Sequence, residues 1–327
     1  MRAVVTGATG FTGGHLARAL ARRGDHVRAL VRTRDQRSAA LEAAGIAIYE
    51  GDLLDPDALA RLMADADIIY NIAASYRQAS AGRETYYGIN ATAVARLIEL
   101  AADTTVRRVV HCSTVGVHGD VEHPPANEDA PLRPGDEYQR SKVEGERLGW
   151  EAAERCGVEL VVARPSGIYG PGDTRLLKLF RGIARRRFVT LGSGDIFYHL
   201  TYIDDLVEGF RRCGTVPAAA GRTYILAGPE VTRLHELVRL IADGAGVAPP
   251  RLRLPVWPFW AAGALCEAVC GPLGLEPPLY RRRVDFFTKS RAFDISRARA
   301  EIGFSPSVSL TDGIRRTLAW YREQGWL

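Results

Sequence analysis

The chain has 327 residues, a formal charge of +5, and 46% apolar against 25% charged residues, so it is long enough for a substantial core in one large or two modest domains. Forty arginines stand against three lysines (Lys142, Lys178 and Lys289); they are scattered, with no aromatic-interleaved basic stripe, which argues against nucleic-acid binding. Five cysteines, odd in number and widely spaced, with no signal peptide, point to reduced thiols in a cytoplasmic protein, and Cys266 and Cys270 lack a nearby third ligand, so no metal is expected.

Along the chain, strands alternate with helices. The apolar run Ala3-Val4-Val5 reads as a first strand and runs into the glycine-rich Thr6-Gly7-Ala8-Thr9-Gly10-Phe11-Thr12-Gly13. That turn opens a helix over Phe11–Arg23. Further strands are predicted at Val27–Arg32, Ile46–Glu50, Ile68–Ile72, Val109–Ser113 and Leu160–Arg164, with helices at Pro56–Ala64, Glu84–Ala102 and Tyr138–Cys156. This alternation predicts an α/β fold, a doubly wound parallel sheet of the Rossmann type with a smaller, mixed substrate-binding region. After Arg164 the texture changes, with Pro165, Gly167, Gly170, Pro171 and Gly172 clustered. A helix over Ile203–Arg212 and a strand over Tyr224–Ala227 suggest that the first domain takes back part of the second half. The expected division is 1–166, with 200–228 added, for the cofactor domain, and 167–199 with 229–327 for the substrate. The run Val256–Leu275, broken by Pro258, Glu267 and Pro272, falls short of the about 18 uninterrupted apolar residues of a membrane span. It reads as a buried helix, a substrate lid, or a hydrophobic face for a lipidic substrate or membrane; membrane contact is not among the expected partners.

Two stretches carry chemistry. Backbone N–H groups where the glycine loop opens its helix can hold a pyrophosphate. Tyr138 and Lys142 are four apart, so on a helix they share one face. An ammonium beside a phenol favours the phenolate and lowers the tyrosine's pKa from about 10. Such a tyrosine can take a proton from a secondary alcohol or return one to a ketone. A dinucleotide site and a proton-handling tyrosine together describe hydride transfer.

These residues resemble the extended short-chain dehydrogenase/reductases, or NAD-dependent epimerase/dehydratase family. The resemblance rests on glycines three apart at Gly7, Gly10 and Gly13, then Gly51-Asp52-Leu53, Asn71-Ile72-Ala73-Ala74, Asn90, Ser113-Thr114, Tyr138 with Lys142, Arg164-Pro165 through Gly172, and Phe293-Asp294 through Pro306. It covers nearly the whole chain. It implies that Thr114, Tyr138 and Lys142 are catalytic, Thr114 orienting the substrate oxygen. It implies cofactor contacts from Gly7, Thr9, Gly10, Phe11, Thr12 and Gly13, from Asp52 (adenine amino group), Leu53 (adenine pocket), Ala73 and Ala74 (ribose), and from Asn90, Ser113, Tyr138, Lys142 (nicotinamide ribose), Pro165 and Ser166. Asn90 would brace the site and Ser113 tie the strand end.

The second predicted strand ends Ala29-Leu30-Val31-Arg32-Thr33-Arg34 without the acid that usually bonds the ribose 2′-hydroxyl in NAD enzymes. Arg32 instead resembles an arginine that pairs with a 2′-phosphate, so NADP is favoured over NAD. Thr114 is followed by Val115-Gly116 rather than the Asp-Glu pair of the dehydratases. Ile196–Tyr202 lacks the arginine that grips a sugar diphosphate in the epimerases. Arg283–Thr288 and the Trp- and Pro-rich run before it look more like the 3β-hydroxysteroid dehydrogenase, dihydroflavonol-reductase-like and hopanoid-associated branches. The expected activity is therefore NAD(P)-dependent hydride transfer at a secondary alcohol or ketone of a bulky, sterol- or flavonoid-like small molecule. The alternatives are a nucleotide-sugar 4-epimerase with tightly held NAD and a non-enzymatic cofactor sensor. A homodimer is the expected assembly.

Overall fold

The computed structural model describes residues 1–76, 82–270 and 281–327, with the backbone alone for 281–283. The first half is built as β1 (Arg2–Thr6), α1 (Phe11–Arg22), β2 (His26–Val31), α2 (Gln36–Glu42), β3 (Ala47–Glu50), α3 (Pro56–Met63), β4 (Ile68–Asn71), α4 (Arg83–Tyr87), α5 (Ala93–Ala101), β5 (Arg108–Cys112), α6 (Glu137–Cys156) and β6 (Glu159–Pro165). A π-helical turn, Gly88–Thr92, joins α4 to α5. The second half continues through β7 (Gly167–Tyr169), α7 (Leu177–Ala184), β8 (Thr190–Leu191), β9 (Phe197–Tyr202), α8 (Ile203–Thr215), β10 (Arg222–Leu226), β11 (Val231–Arg233), α9 (Leu234–Ala245), β12 (Arg253–Leu254), α10 (Val256–Cys270), α11 (Arg281–Thr288), α12 (Ser296–Ile302) and α13 (Leu310–Glu323).

Among the described residues the main sheet has seven strands in the order β10-β6-β5-β4-β1-β2-β3, and every pairing in it is parallel. Its strands are apolar on both faces because helices cover both, as a doubly wound sheet requires. On one face Val4, Ile69, Val109 and Val162 pack with Leu59 and Leu62 of α3, Leu97 of α5 and Ala152 of α6. On the other, Val5, Val110 and Ala163 meet Leu16 of α1 and Leu206 and Phe210 of α8.

The later chain does return to this sheet: β10 pairs with β6, Tyr224 beside Ala163. Two small sheets lie beyond, β11-β9-β7 and β12-β8, and the sequence pattern did not reveal them. The run from Val256 differs from a buried helix. Only Gly263 of α10 is buried, whereas Trp257 is 73% and Leu265 66% exposed; its continuation to Leu275 lies outside the described residues. Among the described residues no helix is long and apolar enough to cross a membrane.

Candidate active site

Parallel strands deliver their following loops to one edge, and that edge carries the site. β1 ends at Thr6 and turns through Gly7, whose φ of +68° suits glycine. A Cβ on Gly7 would stand 2.8 Å from the Ala73 backbone, so the loop lies directly against the segment after β4. Gly10 caps α1 with no side-chain hydrogen bond to the helix start. The N–H groups of Phe11, Thr12 and Gly13 are therefore open at the positive end of the helix. A side chain on Gly13 would run into the Gly7 carbonyl, and a Cβ on Gly10 would crowd the same oxygen at 3.1 Å. Such a bare cradle of backbone donors fits a dinucleotide pyrophosphate, and Thr9, Phe11 and Thr12 stand half-buried around it.

The remaining cofactor candidates lie at the same sheet edge. Leu53 is buried with Leu30. Asp52 is exposed and accepts the Leu54 N–H at 2.8 Å. Ala73 and Ala74 leave β4 half-buried and exposed respectively, and Ala73 N–H donates to Thr6 Oγ1 at 3.1 Å. Arg32 follows the last residue of β2, exposed. Arg34, by contrast, is paired with Glu42 at 2.5 Å.

α6 carries Tyr138 and Lys142 because Asp136 caps its start, accepting the Gln139 N–H at 2.8 Å. Tyr138 is half-buried, its ring edge-on to Tyr76 at 4.8 Å between centroids. Burial pushes its hydroxyl above the ordinary tyrosine range; Cys112 and Tyr76 add to that and Arg175 opposes it. The sequence assigned the opposing role to Lys142. Lys142 is fully buried and donates to the Cys112 carbonyl at 2.6 Å, with His111 Nε2 at 3.5 Å. Burial pulls the lysine below its usual range, against the charges of Cys112 and Glu146. Arg175, which sequence reading passed over, lies over the Phe11 ring at 5.1 Å and bonds Asp173 and the Ile168 carbonyl.

Thr114 stands half-buried after β5, its Oγ1 accepting the Gly116 N–H at 3.0 Å. Its neighbour Ser113 is buried and bonds Glu146. Glu146 in turn grips Arg164 at 2.6 and 3.0 Å, and Arg164 reaches the Glu128 carbonyl at 2.9 Å. This bidentate buried pair locks β5, α6 and β6 together beneath Thr114. Asn90 uses all of its amide for bracing: it accepts the Ser75 N–H at 2.8 Å and donates to the Ser75 carbonyl and Ser141 Oγ at 3.0 and 2.9 Å. Ser166, just past Pro165, is tied to Thr201 Oγ1 at 2.6 Å. No cluster of metal-ligating side chains occurs among the described residues.

The model of the NAD dependent epimerase/dehydratase family matches residues 3–227. The 3beta-hydroxysteroid-dehydrogenase/decarboxylase isoforms 2 and 1 of Arabidopsis thaliana are each 28% identical over 96% of this chain, which spans 61% and 78% of their respective lengths. The 2-alkyl-3-oxoalkanoate reductase of Stenotrophomonas maltophilia is 28% identical over 98% of this chain and 99% of its own. A crystal structure of UDP-glucuronic acid 4-epimerase from Bacillus cereus, in complex with UDP-glucuronic acid and NAD, superposes with a TM-score of 0.79 over 99% of this chain and 100% of its own. At 22% identity it is a likeness of fold.

Proposed function

The chain belongs to the NAD dependent epimerase/dehydratase family, and within it we propose an NADP(H)-linked dehydrogenase or reductase acting on a secondary alcohol or ketone of a bulky, largely apolar small molecule. The glycine cradle would hold the pyrophosphate, Asp52 and Leu53 the adenine, and Ala73 and Ala74 would admit the ribose. Bound nicotinamide supplies the hydride acceptor or donor. Thr114 would hold the substrate oxygen through its hydroxyl, and Tyr138 would take or return the oxygen's proton. Lys142, one turn further along α6, would supply the positive charge that a buried phenolate needs.

The observation that carries the choice of substrate is β9. The strand Phe197–Tyr202 precedes α8 and contains no arginine, so a diphosphate would lack its bidentate partner there. The exposed apolar α10, with Trp257 and Trp260, is a candidate wall for a greasy substrate. The relatives named for steroid and 2-alkyl-3-oxoalkanoate chemistry support the same reading. An epimerase is the second reading, favoured by the shared fold with the UDP-glucuronic acid enzyme. It would keep its cofactor and return the hydride to the same molecule.

Chromatography of the cofactor released from denatured, freshly purified protein separates the two. A reductase yields little bound nucleotide, and added NADPH then raises the thermal transition by mass action. Stoichiometric NAD that survives dialysis would overturn the reductase reading.

A further inference from the structure

Three adjacent strands each present a polar side chain at their last turn toward the catalytic edge. Thr6 of β1 lies beside Asn71 of β4 in register, and Asn71 lies beside His111 of β5. All three share a sheet face with Val4, Ile69 and Val109, the face covered by α3, α5 and α6. Thr6 and Asn71 are 0% exposed and His111 1%. Thr6 Oγ1 donates to Asn71 Oδ1 at 2.7 Å, and Asn71 Nδ2 lies 3.2 Å from His111 Nδ1. His111 Nε2 then faces Lys142 Nζ at 3.5 Å. An apolar residue at each position would satisfy the fold, so a contiguous buried polar row calls for a function.

We infer that Thr6, Asn71 and His111 form a polar row that holds Lys142 as an ammonium and raises its proton affinity, with His111 as the positioning residue for that lysine. This rests on the role proposed above for Lys142. An ammonium has donors and no acceptor, so beside it His111 Nε2 must be the acceptor and Nδ1 must carry the hydrogen. Asn71 then turns its amide oxygen to Nδ1–H and its NH₂ to Thr6, the reverse of its orientation in the structure by a half-turn that exchanges two atoms of like size. Thr6 Oγ1 accepts from Asn71 and from Ala73 N–H. The row thereby links the segment beside the glycine loop to the lysine. The opposite polarity would aim an imidazole N–H at Lys142 and suits only a neutral amine. His111 stays neutral because burial, and next the Lys142 charge, hold it well below the usual histidine range. The other ionisable groups around the lysine are Cys112, Tyr138 on its own helix, and Glu146, whose charge is shared with Arg164.

The lysine's proton affinity is directly measurable because the chain has only three lysines. With ¹³Cε-lysine labelling, and Lys178→Arg and Lys289→Arg for assignment, the Lys142 resonance is titrated in wild type, His111→Phe and His111→Gln. Loss of the acceptor in His111→Phe is expected to lower the Lys142 pKa by about one pH unit, a tenfold loss of proton affinity, while His111→Gln stays close to wild type. An unchanged Lys142 titration in His111→Phe would overturn the inference. Should that variant fail to fold, ¹⁵N-histidine spectra of the wild type decide. The Nδ1–H tautomer near neutral pH is expected, and an Nε2–H tautomer or an imidazolium refutes it. Neither measurement needs a substrate, so a wrong substrate class would leave this test standing.

Discussion

Tyr138 and Lys142 share one face of α6, yet burial moves their proton affinities apart. It disfavours the phenolate and the ammonium alike, pushing the tyrosine up and the lysine down. The pair can hold charge only by helping one another or by enlisting neighbours such as Arg175 and the Cys112 carbonyl. Tyr138, Lys142, Thr114 and the glycine loop were legible in the sequence because each belongs to a local motif with fixed spacing. His111, Arg175 and Glu146 were not: each reads as an ordinary strand, loop or helix residue until register and packing bring it to the site. Arg32 is a residue whose role is local and testable. It stands exposed at the end of β2, where a 2′-phosphate would approach. A charge-assisted contact is worth about 1.5–3 kcal/mol, so Arg32→Ala should weaken NADPH binding by roughly tenfold or more and leave NADH nearly unchanged. Equal losses for both cofactors by titration calorimetry would make Arg32 an ordinary surface residue.

At the scale of elements, the site depends on how closely α6 approaches the π-helical turn Gly88–Thr92. Gly145 lies buried in that contact, and a Cβ there would collide with the Asn90 carbonyl. Asn90 in turn holds Ser75 and Ser141. Gly145→Ala is therefore expected to push α6 outward, destabilising the protein by about 1–3 kcal/mol, the usual penalty of overpacking. It should also reduce turnover, because Tyr138 rides on the same helix. Thermal denaturation of the variant at wild-type stability would mean that the helix pair has slack this geometry denies. The main-sheet strands were legible because each is a short, largely apolar run bounded by turns. The small sheets were not. β7 and β11 have three residues each, and β8 and β12 two, too short for any periodicity to register. The short helix α2 owes its start to the Asp35–Ser38 capping box, a signal of sequence that the apolar pattern alone does not show.

Across the whole molecule, buried histidines set an acid limit. His111, His118 and His199 are each held below the ordinary histidine range, chiefly by burial. In the unfolded chain they would titrate near the usual 6.5. Below that pH the unfolded state binds more protons, so stability is complete above about pH 6.5 and falls as pH drops. Each histidine contributes at most about 1.4 kcal/mol per pH unit. Glu128, pushed up by burial, works in the opposite sense as a single group. Chemical denaturation from pH 7.5 to 5 should show this decline, and a flat profile would contradict the buried neutral assignment.

The account as a whole stands on hydride transfer assisted by Tyr138. Its most direct test is NADPH-linked turnover of a panel holding a sterol ketone, a dihydroflavonol and a nucleotide sugar, run on wild type and Tyr138→Phe across several pH values. The account predicts consumption of NADPH with one of the bulky ketones, lost by about 10²–10⁴-fold in the variant, while NADPH affinity is unchanged. Turnover by Tyr138→Phe at the wild-type rate would contradict it, as would sugar epimerisation with no net cofactor consumption.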